Sequence, residues 1–251
     1  MEITSPNNEL VKETVKLQQK KTRVKTGKFL LEGYKVIKEA VDSKIKMDCV
    51  FVLGSKKDKY NFLDCEIIET TDGILKKIST TESAPEAVGV GIQKISNTND
   101  LKKAKKAILL ENISDAGNLG TIVRTAAGFG IDAIILFGDT VDPYNPKCVR
   151  SAVGNLWKTD IYEIKSVEEL DKYFSDFERV ATLPKSEKTI WLSEWKPKDK
   201  TLIMFGSEAD GLSEKLKEYA TENLTIEMRN TVESLNLSIS AGIVTYFMRK
   251  V

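Results

Sequence analysis

Histidine is absent from the 251 residues of the chain, and this absence removes several mechanisms. A Ser-His-Asp triad, a Cys-His pair and a histidine general base all require an imidazole ring. Cysteine is also scarce, since only Cys49, Cys65 and Cys148 occur. They are too scattered for a zinc site, and their odd number fits no complete disulfide framework. The sequence therefore predicts no bound metal and a reducing compartment, the cytoplasm.

Long hydrophobic runs are missing as well. No apolar run approaches the roughly 20 residues that a membrane-spanning helix needs. Residues 1–6 lack the basic and then apolar pattern of a signal peptide. We therefore expect a soluble cytoplasmic protein that has no membrane partner.

A strong charge of one sign is absent from the whole chain, whose formal net charge is +1. Residues 1–105 hold 20 Lys and Arg against 15 Asp and Glu, a net of +5, and the remainder holds 18 against 22, a net of −4. This asymmetry favours a polyanion as partner of the N-terminal half. On charge alone, a solvated surface with a chance imbalance explains it equally well.

Strand and helix signals alternate in the N-terminal half, which predicts a small α/β domain that ends near residue 95. Strands are predicted at residues 29–32, 49–53, 66–68 and 87–92. A helix is predicted from residue 8, and it runs into a basic loop. The basic residues of that loop are Lys20, Lys21, Arg23 and Lys25.

The C-terminal half follows a lysine-rich, polar stretch at residues 96–106, which is typical of a linker or of a linker with a short helix. Apolar runs at 107–110, 133–137 and 202–205 predict buried strands of a mainly parallel sheet. A closing helix is predicted at 234–249. Its Leu235, Ile239, Ile243 and Phe247 are spaced for one buried face.

Three polar segments of this half, at residues 112–124, 205–213 and 226–238, are placed at predicted strand ends. Each has an ordinary explanation by itself: a helix cap with a surface Arg124, a strand-to-helix turn with glycines, and capping by Ser234 or Asn236. None is a dinucleotide fingerprint or a Walker phosphate loop. Because open parallel sheets bind ligands at the carboxyl ends of their strands, the three together predict a pocket for a polar small molecule. The residues alone do not identify that molecule.

In this order and spacing, the segments resemble the motifs of the SpoU (TrmH) family of RNA ribose methyltransferases, part of the SPOUT class. The matching stretches are residues 27–33 (GKFLLEG), 118–124 (NLGTIVR), 145–154 (NPKCVRSAVG), 205–213 (FGSEADGLS) and 233–238 (ESLNLS). Three positions depart from the family pattern: Ala116 and Glu227 stand where proline is usual or common, and Ser207 stands where asparagine is common.

The resemblance implies an α/β fold with a C-terminal parallel-sheet methyltransferase domain, knotted as a trefoil, and a small ribosomal-protein-like RNA-binding domain before it. We expect the RNA substrate-binding domain at residues 1–95, the linker at 96–106 and the SPOUT domain at 107–251. The resemblance also implies a homodimer whose active site draws on both subunits. The implied cofactor is S-adenosylmethionine, held by Gly206, Ile226, Met228, Ser234 and Leu235.

The implied reaction is methylation of a ribose 2′-hydroxyl in RNA. The implied catalytic residues are Asn118, Arg124, Glu208 and Asn236. Similar family enzymes use the arginine as general base, but the pKa of arginine exceeds about 12, so we expect Arg124 chiefly to grip the target phosphate. The 2′-hydroxyl is also what distinguishes RNA from DNA.

RNA affinity is expected from basic residues outside these motif loops. They are Lys20, Lys21, Arg23, Lys25, Lys28 and Arg150. By family analogy, the separate N-terminal domain favours ribosomal over transfer RNA. Two alternatives stay open: a catalytically silent RNA-binding or ribosome-assembly factor, and methylation of a base nitrogen.

Overall fold

The computed structural model describes residues 1–229, 231 and 234–249. The chain divides into two compact units, the first built from Met1–Ile95 and Asp142–Trp157, the second from Ser96–Val141 and Lys158–Val251. The sequence-based division gives every residue after 106 to one domain, whereas the contacts of Asp142–Trp157 lie with the first unit. In the described part of the chain, no helix is both long and apolar enough to cross a membrane.

The strands, numbered in chain order, are β1 (Lys28–Glu32), β2 (Met47–Leu53), β3 (Glu66–Thr70), β4 (Ala87–Ile92), β5 (Lys106–Glu111), β6 (Ala133–Phe137), β7 (Asp160–Ile164), β8 (Glu178–Thr182), β9 (Ile190–Trp191), β10 (Thr201–Phe205) and β11 (Glu222–Thr225). The helices are α1 (Glu9–Lys16), α2 (Lys20–Thr26), α3 (Tyr34–Asp42), α4 (Asp72–Ile78), α5 (Thr98–Leu101), α6 (Ala116–Gly128), α7 (Pro146–Ser151), α8 (Val167–Phe174), α9 (Glu214–Tyr219) and α10 (Leu237–Met248), with a 3-10 helix at Gly54–Tyr60.

The first unit contains a mixed four-stranded sheet in the order β1-β4-β2-β3. Strand β4 pairs antiparallel with β1 and β2, and β2 pairs parallel with β3. All four predicted strands of this half are confirmed. The predicted basic loop was wrong, because its residues form α2, which ends at Gly27 with a φ of 64°. Lysine and arginine are good helix formers, so a basic cluster by itself does not predict a loop.

The second unit contains a parallel seven-stranded sheet in the order β7-β6-β5-β10-β8-β11-β9. Every residue of β5, β6 and β10 is buried, as expected of parallel strands covered on both faces. These are the three strands that the apolar runs predicted, and they lie side by side in the middle of the sheet. The four strands with weaker apolar runs, β7, β8, β9 and β11, were not predicted.

Helix α10 closes the second unit, but the face that it buries differs from the prediction. Its buried apolar residues are Leu237, Ala241, Val244 and Met248. On the predicted face, Ile239 is 53% and Phe247 40% exposed, and Tyr246, which is also apolar, is 50% exposed. The prediction was wrong for the single chain because the helix is apolar on more than one side, and periodicity does not say which side packs inside.

Candidate active site

The three polar loops of the second unit meet through one chain of hydrogen bonds. Asn118 lies in the first turn of α6, where its backbone N–H donates to the Asp115 side chain at 2.8 Å. Its amide Nδ2 donates to Glu208 Oε1, and its Oδ1 accepts from Asn236 Nδ2 at 3.1 Å. Residues from three distant parts of the sequence thus form one polar cluster, Asn118–Glu208–Asn236.

Asn236 takes part in this cluster and also caps α10. Its Oδ1 accepts from the backbone N–H of Ser238 at 2.9 Å and from the Ser238 hydroxyl at 2.7 Å. Capping a helix uses only the oxygen of the amide. The nitrogen is therefore left to face Asn118, so that the cap fixes the orientation of the whole side chain.

Glu208 is presented by a tight loop after β10. A Cβ added to Gly206 would lie 1.9 Å from the backbone carbon of Gly211, so the loop closes only around a glycine. Gly211 itself has a φ of 67°, and its N–H donates to the Ser207 carbonyl at 3.0 Å. The close approach of Gly211 therefore explains by itself why position 206 is a glycine.

Glu111, which the motif comparison did not single out, anchors the far end of the same loop. It is the last residue of β5 and is 3% exposed. Its Oε2 accepts from the backbone N–H of Ser213 at 2.7 Å. The signal in the sequence was a carboxylate directly after the apolar run at 107–110.

A cavity of about 570 Å³ lies beside the cluster, within the range typical of small-molecule sites. Glu208 and Asn236 line it, together with five residues expected to hold a cofactor: Gly206, Ile226, Met228, Ser234 and Leu235. Its apolar walls include Leu183, Phe205 and Val244. Glu233, a further member of the third motif, lies outside the described residues.

Arg124 lies further along α6 and is exposed. Within residues 1–229, 231 and 234–249, its guanidinium forms no hydrogen bond and no ion pair. The structure therefore joins three of the four expected catalytic residues and leaves the arginine apart from them in the single chain.

The basic residues expected to bind RNA fall into two groups. Lys20, Lys21 and Lys25 are exposed on α2. Arg23, on the same helix, is buried: its Nε donates to Asp142 at 2.7 Å, and its Nη1 donates to the backbone carbonyls of residues 17 and 18. The expectation that Arg23 contacts RNA is corrected, because a side chain that is 2% exposed and already bonded within the protein does not reach a phosphate.

Lys28 and Arg150 are partly exposed and are engaged in ion pairs. Lys28 contacts Asp48 at 2.8 Å. Arg150 donates to the buried carboxylate of Glu32 and to the hydroxyl of Thr80. Glu32 also accepts from the Thr80 backbone N–H at 2.6 Å. Arg150 therefore compensates a buried charge of the first unit, which is a structural role.

The cysteines are poor nucleophiles. Burial raises the pKa of Cys49 to about 12 and also raises the pKa of Cys65 and Cys148. Since the thiolate is the reactive form, these thiols are unreactive near neutral pH. In the residues that the structure describes, no group of His, Cys, Asp and Glu side chains is arranged to hold a metal ion.

A parallel sheet with a cavity and a linked polar cluster at its strand ends defines the class of α/β proteins that bind small molecules at this edge. Residues 105–246 match the model of the SpoU rRNA Methylase family, and residues 8–89 match that of the MRM3-like substrate binding domain. The chain therefore belongs to the SpoU rRNA methylase family, which confirms the resemblance of its motifs.

Individual relatives span nearly the whole chain. An uncharacterized tRNA/rRNA methyltransferase of Synechocystis is 30% identical, covering 99% of this chain and 93% of that protein. The 23S rRNA (guanosine(2553)-2′-O)-methyltransferase RlmP of Bacillus subtilis is 27% identical with 99% of each chain covered. The AdoMet-bound rRNA methyltransferase from Sinorhizobium meliloti has a TM-score of 0.86 and 26% identity, covering 98% of this chain and 96% of that one.

Proposed function

We propose that this protein transfers a methyl group from S-adenosylmethionine to a ribose 2′-hydroxyl of ribosomal RNA. The observation that carries the proposal is the Asn118–Glu208–Asn236 cluster beside the cavity. It is supported by the family and by relatives whose names specify 2′-O-methylation of 23S rRNA. A cytoplasmic location belongs to the same proposal.

The cavity suits the proposed cofactor. The apolar side chains of Phe205, Leu235 and Val244 offer surfaces for an adenine ring, and the loops at its rim offer backbone polar groups. Glu208 and Asn236 both line the cavity, so a ligand in it meets the polar cluster directly. Gly206, Ile226, Met228, Ser234 and Leu235 are the residues that would hold it.

S-Adenosylmethionine, when bound, supplies a sulfonium methyl group that is already electrophilic, so the task of the chain is alignment. Asn236 orients Asn118, and Asn118 orients the Glu208 carboxylate through Oε1. The exposed carboxylate then accepts a hydrogen bond from the ribose hydroxyl and directs its oxygen toward the cavity. Alignment of this kind contributes about 7–11 kcal/mol to lowering a barrier. The hydroxyl proton is lost to water.

Arg124 binds the target phosphate, because the planar guanidinium group matches the geometry of phosphate oxygens. In the proposed arrangement, the arginine serves the site of a second subunit. The apolar stripe of α10, with Ile239, Tyr246 and Phe247 exposed, supports a homodimer that covers this face. A shared site accounts for the separation of Arg124 from the cluster in the single chain.

The remaining elements of the proposal concern fold detail and RNA affinity. We assign RNA substrate binding to residues 1–95, with Lys20, Lys21 and Lys25 as phosphate contacts, and methyl transfer to residues 107–251. The trefoil knot of the SPOUT class belongs to this proposal as well. Support comes from the two family matches, which cover residues 8–89 and 105–246.

The test is transfer of labelled methyl from S-adenosylmethionine to unmodified ribosomal and transfer RNA transcripts. Wild type is compared with Arg124→Ala and Asn236→Ala. Asn99→Ala serves as matched control, since Asn99 is an exposed asparagine of the second unit outside the cavity. We expect label in ribosomal RNA at a position that resists alkaline cleavage, lost in the first two variants and kept in the third.

Other results contradict the proposal in different ways. Label on a base, with the backbone still cleaved by alkali, indicates base methylation. Label in transfer RNA alone shows that the substrate is transfer RNA and contradicts the proposal of ribosomal RNA. No label in any transcript, together with no heat of binding when S-adenosylmethionine is titrated into the protein, indicates a catalytically silent RNA-binding factor.

A further inference from the structure

Glu227 stands at a position where proline is common in the family, two residues after the end of β11. Its two neighbours, Ile226 and Met228, line the cavity, and Glu227 does not. Its carboxylate Oε1 instead accepts two hydrogen bonds from Ser193, one from the backbone N–H at 2.9 Å and one from the hydroxyl. The side chain is thus bonded to a residue outside the cavity lining, while the residues on both sides of Glu227 line the cavity.

Ser193 follows β9, the two-residue strand at the edge of the sheet. Strand β9 pairs in parallel with β11, and the Leu192 N–H continues the pairing by donating to the Thr225 carbonyl at 2.9 Å. The next N–H along, that of Ser193, donates to the Glu227 carboxylate. The side chain therefore extends the hydrogen bonding between the two segments beyond the end of the backbone ladder.

A proline restrains a loop by fixing φ, whereas a glutamate leaves φ free. A loop that carries glutamate here needs another restraint if its backbone is to keep one shape. Desolvation alone would raise the pKa of Glu227, but the hydrogen bonds from Ser193, together with those from backbone N–H groups including that of Leu192, outweigh it, and the pKa lies below the usual value of 4.5. The carboxylate is therefore ionised at neutral pH and accepts both bonds as a charged group, which strengthens them.

We propose that Glu227 is a positioning residue that, bound to Ser193, holds the backbone of Ile226 and Met228 in the shape that receives S-adenosylmethionine. This rests on the proposed function only in the identity of the ligand. Glu227 does not touch the cofactor. It restrains the loop by side-chain hydrogen bonds at a position where the family pattern has a proline.

Two measurements test the proposal on the full-length chain. The first is amide hydrogen exchange at Ile226 and Met228 without cofactor, in wild type, Glu227→Ala, Ser193→Ala and Glu227→Gln. We expect faster exchange at these two amides in Glu227→Ala, and smaller effects in Ser193→Ala, which keeps the backbone donor, and in Glu227→Gln, which keeps an uncharged acceptor. Glu194→Ala is the matched control, because Glu194 is an exposed glutamate of the same edge segment.

The second measurement is calorimetric titration of the same variants with S-adenosylmethionine, beside methyl-transfer kinetics. Loss of the pair is expected to weaken cofactor binding by about three- to tenfold, the factor for one ordinary hydrogen bond. The KM for S-adenosylmethionine should rise with it, while kcat and RNA affinity stay within about twofold of wild type. Glu194→Ala should change none of these quantities.

The outcomes separate the two proposals. Unchanged exchange in Glu227→Ala overturns the positioning role, and so does faster exchange with unchanged cofactor affinity. A parallel loss of RNA affinity and of thermal stability overturns it in favour of a general structural role. A wild-type chain that binds no S-adenosylmethionine overturns the proposed function and, with it, the assignment of this loop to that cofactor, whatever the exchange result.

Discussion

The two units of the molecule use their polar side chains in opposite ways. In the first unit, charged groups are matched inside the protein: Arg23 with Asp142, and Arg150 with Glu32. In the second unit, the polar groups at the strand ends are linked mainly through amides, and Arg124 forms no ion pair with any described residue.

The physical reason is the cost of burying charge. A charge removed from water needs a partner, and two such partners fold the segment Asp142–Trp157 onto the first unit. A side chain that is to bind a ligand must instead keep donors and acceptors available at the surface. Whether a charged side chain is already paired within the protein therefore distinguishes a structural residue from a ligand-binding one better than its residue type does.

The largest effect on activity is expected in the Asn118–Glu208–Asn236 cluster of the second unit. Asn118→Ala removes both of the hydrogen bonds that join Glu208 to Asn236. We expect kcat for methyl transfer to fall by about 100-fold, because a misplaced reacting group costs this much, with little change in stability. Single-turnover kinetics measure the effect. Asn99→Ala should behave as wild type, and an Asn118→Ala variant that keeps most of its activity would remove the cluster from the mechanism.

Arg23→Ala tests the opposite use of charge. It leaves the Asp142 carboxylate, whose side chain is 10% exposed, without its cation. We expect a loss of about 3–5 kcal/mol in the free energy of unfolding, measured in urea by the fluorescence of Trp157, which belongs to the same unit. Lys25→Ala, on the exposed side of α2, should stay within about 0.5 kcal/mol of wild type. Equal effects of the two substitutions would contradict the distinction.

The exposed apolar stripe of α10 tests whether the second unit also forms the dimer surface. Ile239→Asp puts a charge into the surface assigned to the second subunit. We expect the dissociation constant of the dimer to rise about 30-fold. Sedimentation equilibrium measures it, with Lys172→Asp on α8 as control. A wild-type chain that is monomeric at working concentration would refute the assignment.

A shared active site makes a further quantitative prediction. Arg124→Ala and Asn236→Ala, each inactive alone, should regain about one quarter of wild-type activity when mixed in equal amounts and allowed to exchange subunits. Half of the dimers are then mixed, and each mixed dimer has one intact site. Mixing each variant with itself is the control. No recovery, despite demonstrated subunit exchange, would place the arginine and the cluster in the same subunit.

The smallest effect is expected from the exposed lysines of the first unit. Replacement of Lys20, Lys21 and Lys25 by glutamine should reduce the slope of log affinity for RNA against log salt by about 2–3, because each phosphate contact contributes about 0.7–0.9. Filter binding over a range of salt concentrations measures the slope. Lys57→Gln removes a lysine already paired with Glu69 and should leave it unchanged.

Sequence alone determined the central strands and the chemistry of the loops. The runs at 107–110, 133–137 and 202–205 are apolar throughout, as is typical of strands covered on both faces, so they predicted strands in the middle of the parallel sheet. The family was indicated by the resemblance of the ordered motifs that contain Asn118, Glu208 and Asn236, because three motifs in this order seldom occur by chance.

Tertiary structure decided what local pattern leaves open. Arg23 and Lys25 are two residues apart with the same charge, and only the presence of Asp142 beside one of them makes it structural. Helix α10 has apolar residues on two sides, and only packing determines that Leu237 and Val244 lie inside while Ile239 does not. The bond between Glu227 and Ser193 exists because β9 pairs with β11. Partners distant in sequence determine these outcomes, since composition and periodicity describe only a residue's nearest neighbours along the chain.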